Sequence, residues 1–224
     1  MAPRRATLLA AAALLAPLLA GCLDPYRAHV DEATLAAAKL SWTREDHPQT
    51  DGGLFGVKSM ETDYTHSGSG PPFPGHVLVF SLRTAARPST EQLLQFTRTA
   101  VDNSTASNGI RIDRTLSATG TRTLASGLQT QYFTEEGTST AGGLFAVNTK
   151  VRILGEVGYD GRSSTSIVAV GLAQVESSRT CPLGINCGTT TDLATWNEIV
   201  GDPGGSVGGA QSATGLLHHL VSHG

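Results

Sequence analysis

The side chains best suited to chemistry in this chain of 224 residues gather near its two ends. Close to the C-terminus stand His218, His219 and His223. On a helix, His219 and His223 would lie one turn apart and could offer two imidazoles to zinc or copper. A closed or catalytic metal site needs a third ligand, which His29, His47, His66 or an acid could supply only through a contact between distant segments. The other reading is the polar end of a helix whose Leu216, Leu217 and Leu220 pack on a sheet. The spacing alone therefore assigns neither a metal nor a cofactor. Glu135 and Glu136 are adjacent acids just before Gly137, a position that reads as a solvated turn, whereas paired glycosidase carboxylates must converge across a cleft from separate elements.

Other catalytic patterns fail on spacing. A nucleophile elbow needs Gly-x-Ser-x-Gly on a strand-to-helix turn, and neither Gly68-Ser69-Gly70 nor Gln211-Ser212-Ala213 provides it. The run from Gly204 to Gly209 lacks the Lys-Ser/Thr of a phosphate-binding loop and reads as a flexible linker.

The other end begins with Arg4-Arg5, continues through an apolar run from Ala6 to about Leu19 and closes on small residues, the three regions of a secretory signal. The run is too short to span a hydrocarbon core, which asks for roughly 20 apolar residues in a helix, and Pro17 interrupts it near its end. Leu19-Ala20-Gly21-Cys22 resembles the lipobox of prokaryotic lipoproteins. The resemblance implies a diacylglyceryl thioether on Cys22, cleavage just before it, and a mature protein held by lipid on the outer side of the cytoplasmic membrane or in the cell envelope. Each buried methylene adds about 0.8 kcal/mol, so two acyl chains hold stably where one is reversible. Export by the general secretory or the twin-arginine route remains open; Thr7 stands where the latter prefers a bulky apolar residue.

With Cys22 committed to lipid, Cys181 and Cys187 form an even pair in an exported chain and are expected to be joined by a disulfide closing the turn Pro182 to Asn186. Once Arg4 and Arg5 are removed, 14 basic residues face 19 acidic ones. Lys39, Lys58 and Lys150 are the only lysines and the arginines are scattered, so nucleic acid is excluded as a partner.

The elements that must position these residues follow an α+β pattern. A helix is expected over Asp31–Lys39, strands over Leu40–Thr43 and Leu54–Met60, and a doubly apolar central strand over His76–Arg83. Ser89 to Val101 carries a capping box, Ser89 with Gln92, ahead of an apolar face of Leu93, Leu94, Phe96, Ala100 and Val101. A period of two then runs through Ile110–Leu116, Thr121–Ala125 and Leu128–Thr134, punctuated by Gly120, Gly127 and Gly137. Asp160-Gly161 suits a two-residue turn between Val147–Tyr159 and Ser164–Val175, and Gly155, Gly158 and Gly171 suggest bulges or a closely packed helix. Helices near Asp192–Val200 and Ser212–Ser222 complete the chain. The expected fold is an antiparallel sheet of about six to seven strands with a helix packed on one face and C-terminal helices. Its expected organisation is a signal peptide over 1–21, a tether or stalk over 22–39, and one domain with a helical tail over 40–224.

The order of elements over Leu40 to Val175 resembles the PsbP-like fold shared by the photosystem oxygen-evolving accessory protein and a nuclear-transport factor; it implies a fold and no functional residue. The function expected from address and exclusions is a non-catalytic binding or support lipoprotein, partnered by the membrane through Cys22 and by an envelope protein. Two alternatives stand beside it: a lipoprotein that delivers a small ligand or metal to a membrane partner, and an enzyme whose site is assembled from distant residues.

Overall fold

The computed structural model describes residues 24–38, 41–52, 57–68, 73–84, 86–141, 147–181, 185–201 and 215–223. In chain order the elements are β1 (His29–Val30), α1 (Glu32–Ala38), β2 (Trp42–Asp46), β3 (Thr50–Gly52), β4 (Val57–His66), β5 (His76–Arg83), α2 (Thr90–Ser107), β6 (Ile110–Thr123), β7 (Gln129–Ala141), β8 (Val147–Asp160), β9 (Thr165–Cys181), β10 (Ile185–Thr191), α3 (Ala194–Val200), a 3-10 turn (Leu216–His219) and β11 (Leu220–Val221). The fold is α+β. An antiparallel sheet runs in the order β2-β4-β5-β9-β8-β7-β6, with β3 beside β4 and β10 beside β9.

Side chains alternate across this sheet, so each strand feeds two cores. On one face α2 packs over Phe133, Ile153, Val157 and Val168. Its N-terminus is fixed by the expected capping box: Ser89 Oγ accepts from Gln92 N at 3.1 Å and Gln92 Oε1 accepts from Ser89 N at 2.9 Å. The helix is longer than expected, reaching Ser107, and its buried stripe is Leu93, Leu94, Thr97, Val101 and Thr105. Phe96, expected on that stripe, is 66% exposed. Thr97 and Thr105 occupy buried positions at no hydrogen-bonding cost because each hydroxyl donates to the carbonyl four residues back, at 2.7 and 2.9 Å.

On the opposite face both ends of the chain close the core. Ala28, Val30, Trp196, Ile199, Leu217 and Leu220 pack against Tyr64, Val77, Val79, Ile167 and Ala169. β1 pairs with β11, Ala28 N donates to Ser81 Oγ, and Val30 N donates to Tyr64 Oη at 2.8 Å. Burial pushes the Tyr64 phenol up to about 12, so it remains a neutral acceptor. The folded unit thus begins upstream of the Leu40 boundary, and Ala28 to Ala38, expected as stalk, belongs to the domain.

Three local expectations are corrected. Ser212–Ser222 is not a helix: the described part makes a 3-10 turn and then a strand, because pairing with β1 satisfies Leu220 and Val221 in extended form. Asp160-Gly161 is not a two-residue turn; Asp160 pairs with Thr165, and the positive φ falls on Ser164 at 53°. Gly137 lies inside β7, where a Cβ would stand 2.6 Å from Ile110 Cγ2. The expected close approach does hold at Gly171, whose missing Cβ admits Ile199 of α3, and Gly155 makes room in the same way for the Phe133 ring opposite it.

Candidate functional site

α2 lies over β6, β7 and β8, and the β5–β9 part of the same face is left as a groove of about 400 Å³. Leu78 and Phe80 from β5, Val170 and Leu172 from β9, Ile153 from β8 and Val101 from α2 line it, and Phe73 and Pro74 stand at its margin beside His76. The register explains the apolar floor: Leu78 pairs with Val170 and His76 with Leu172, so both strands present the same alternate set. Phe73 contributes to this wall and is half-buried.

A polar cluster adjoins the groove at the sheet edge. The edge strand breaks between β2 and β3 at His47, Pro48 and Gln49. There His47 N donates to Glu61 O at 3.0 Å, which holds His47 beside β4. Register places Glu61 and Asp63 of β4 opposite Phe80 and Leu78, on the groove face. His47 Nε2 lies 3.2 Å from Asp63 Oδ2, and His76 Nε2 lies 3.6 Å from the same oxygen. The ligating atoms of His47, Glu61 and Asp63 all fall within 4.8 Å of one another. Behind them Arg27 donates to the carbonyls of His47 and Glu61, at 2.6 Å each, and so pins both backbones.

The C-terminal histidines do not converge. His219 Nδ1 faces Asp31 Oδ2 at 3.2 Å, while His223 Nδ1 meets Asp160 Oδ2 at 2.5 Å. His218 sits near the buried Arg122–Glu156 pair; burial first, then the Arg122 charge, holds its imidazole below the ordinary value. The helix that would have aligned His219 with His223 is absent; the His218 and His219 rings meet edge to face with centroids 5.4 Å apart, while His223 is held by Asp160. His29 bonds back to Arg27 O, and His66 stands by Trp42 and Glu198, so neither supplies a third ligand.

Asp160, His223 and Ser222 have the composition of a catalytic triad without its order. Ser222 Oγ donates to Asp160 Oδ2 at 2.5 Å, and Arg162 Nη1 lies 2.6 Å from His223 Nε2. A guanidinium only donates, so Nε2 is the acceptor and Nδ1 carries the proton toward Asp160. The nitrogen that a serine nucleophile would need as its base is occupied. Burial opposes the Asp160 carboxylate, but hydrogen bonds from Ser222, Arg162 N and His223 outweigh it and hold the group below its ordinary range. This network is a lock on the chain end.

Glu135 and Glu136 are buried, which overturns the solvated turn. As neighbours on β7 they point to opposite faces and cannot act on one substrate. Glu135 Oε1 accepts from Arg114 Nη1 at 3.1 Å and stands 3.1 Å from Arg98 Nε in an ion pair without a hydrogen bond, and Glu136 Oε2 accepts from Arg152 Nε at 3.1 Å. Burial pushes the Glu135 carboxyl up, and Arg114 and Arg98 only partly counter it.

β9 ends at Cys181, which pairs with Ile185 of β10, and the register shifts between Asn186 and Gly188 so that Cys187 falls at the irregularity. Cys22 and the linker residues 202–209 lie outside the described residues. Among the described residues no helix is long and apolar enough to cross a membrane. The chain matches no family description, no characterised protein and no solved structure.

Sequence reasoning missed the His47–Glu61–Asp63–His76 grouping. Glu61 and Asp63 are two apart, a spacing that puts both on one strand face, but the pairing that brings His47 and His76 alongside has no local signature.

Proposed function

We propose that this protein is a lipid-anchored, extracytoplasmic binding protein that holds a small apolar molecule in the groove between α2 and the β5–β9 strands, without catalysis. The groove carries the reading: its volume of about 400 Å³ falls in the range of small-molecule sites, and its floor is aliphatic and aromatic. The anchor is supported by Arg4-Arg5, the short apolar run and Leu19-Ala20-Gly21-Cys22. Only Leu23 separates Cys22 from Asp24, whose carboxylate Oδ1 takes Lys58 Nζ at 2.8 Å and Gln49 Nε2 at 3.0 Å, and whose carbonyl takes Arg83. Lipid at Cys22 would seat this end of the sheet close to the bilayer, with Lys58, Arg83, Arg87 and Arg162 at that end. Such basic groups favour anionic headgroups by about 1 kcal/mol each near the surface.

Native mass spectrometry of the membrane-extracted protein tests the groove. One apolar adduct is expected, and Leu172→Asp, which sets a carboxylate in the groove, should remove it; an extract without any adduct, or an adduct that survives the substitution, overturns the reading. The anchor has its own test: the N-terminal peptide of the mature protein should start at a diacylated Cys22, and Cys22→Ser should release the protein or leave it unprocessed. The same reading joins Cys181 to Cys187, and alkylation without reduction that labels both thiols would reject that bond.

A further inference from the structure

We propose that His47, Asp63 and Glu61, with His76 beside them, form a binding site for one divalent transition-metal ion of the zinc class. The inference stands apart from the apolar groove and does not need it. Zinc takes imidazole nitrogen and carboxylate oxygen at about 2.0–2.2 Å in a tetrahedral shell, so neighbouring ligand atoms stand roughly 3.3–3.5 Å apart. The two nitrogen–oxygen separations here, 3.2 Å from His47 and 3.6 Å from His76 to Asp63 Oδ2, bracket that spacing. Glu61 completes a donor set in which the ligating atoms of His47, Glu61 and Asp63 all lie within 4.8 Å of one another.

The ordinary alternative is a set of ion pairs, and the hydrogen bonding speaks against it. Two histidines crowd one oxygen of Asp63 while the other oxygen, Oδ1, is shielded from water and has no hydrogen-bond partner among the described residues. His47 Nε2 is shielded too and, despite its 3.2 Å approach, is out of line for a hydrogen bond. Buried polar atoms are rarely left in that state, and a cation at their centre would satisfy both. Two neutral imidazoles and two carboxylates also balance a dication, in a donor set that suits zinc over magnesium or calcium. The backbone is prepared for this: Arg27 ties the carbonyls of His47 and Glu61 together from behind, and β4 delivers Glu61 and Asp63 to one face.

The test uses the full protein extracted in detergent, stripped with a chelator, and returned to zinc or cobalt(II) alone. One zinc per chain is expected by elemental analysis, with visible cobalt absorption of a low-coordinate nitrogen and oxygen site. Asp63→Asn and His47→Gln should each weaken zinc at least tenfold and abolish the cobalt band, while a His218→Ala/His219→Ala pair leaves both unchanged. Circular dichroism of the metal-free variants checks that they fold, and His76→Gln offers a third, independent removal of a ligand. Wild-type protein that takes up no stoichiometric zinc overturns the proposal, as does zinc that Asp63→Asn, His47→Gln and His76→Gln all retain, or zinc lost only with His218 and His219.

Discussion

Histidine occurs in two settings in this molecule, and they differ in what is gathered around the rings. At the C-terminus His219 faces Asp31, and His223 is held on both nitrogens by Asp160 and Arg162. At the sheet edge His47 and His76 share one oxygen of Asp63, and atoms of the cluster are left without hydrogen bonds. The first group is close in sequence, yet His219 and His223 turn to different acids; the second is distant in sequence and gathered by strand pairing. His218 Nδ1 at the C-terminus is also buried without a hydrogen bond, so what sets the sheet edge apart is that His47, Glu61 and Asp63 gather their ligating atoms around the shortfall.

The contrast is broken most forcefully by damaging the C-terminal region. Leu217 is wholly buried beneath the sheet beside Ile199 and Gly171, so Leu217→Ala should cost about 2–5 kcal/mol in urea unfolding. A loss below 1 kcal/mol would show that the chain end is an appendage. Next in size, Asp160→Ala strips the Ser222 hydroxyl and the His223 ring of their shared acceptor and should cost about 1–3 kcal/mol. Asp63→Asn in metal-free protein should stay within about 0.5 kcal/mol of wild type, as expected for a partly buried group outside the core that keeps its shape in the amide. If the two aspartates exchanged these effects, the division between stabilising and binding histidines would fall.

Acid and base titration sharpens the same division. The Asp160 carboxyl is held below its ordinary value of 3.8, so its contribution is complete above that value and is lost as pH falls through the lower folded one. Glu135 has the opposite sign: its carboxyl is raised above 4.5, so its contribution is complete below 4.5 and fades as pH rises through the folded value. Unfolding free energies measured across this range should show a shallower acid-side slope in Asp160→Asn, with Asp31 and Asp46 still contributing to it, and should lose the opposing contribution in Glu135→Gln. A control lies far from either region. Ser89→Ala removes one arm of the capping box and should cost about 1 kcal/mol, leaving both histidine groups unaffected.

Local chemistry made much of the architecture readable. The capping box at Ser89 and Gln92, the doubly apolar His76–Arg83 strand and the alternating run from Ile110 onward depend on neighbours within a few residues, and α2, β5 and the β6–β9 meander follow them closely. The proposed leader and lipid site at Cys22 rest on the same kind of local signal, since charge, run length and small residues are properties of a continuous segment. What depended on pairing between distant segments was decided by the tertiary structure alone. Glu135 and Glu136 read as surface because Gly137 reads as a turn, yet a neighbouring strand fills the space the glycine leaves. The C-terminal histidines read as helical because nothing local announces that β1 will draw Leu220 and Val221 into a strand. His47 and Asp63 meet only because the register of β2 against β4, Asp46 with Thr62, carries His47 to Glu61, one same-face step from Asp63, and register is set by which faces are buried across the whole sheet.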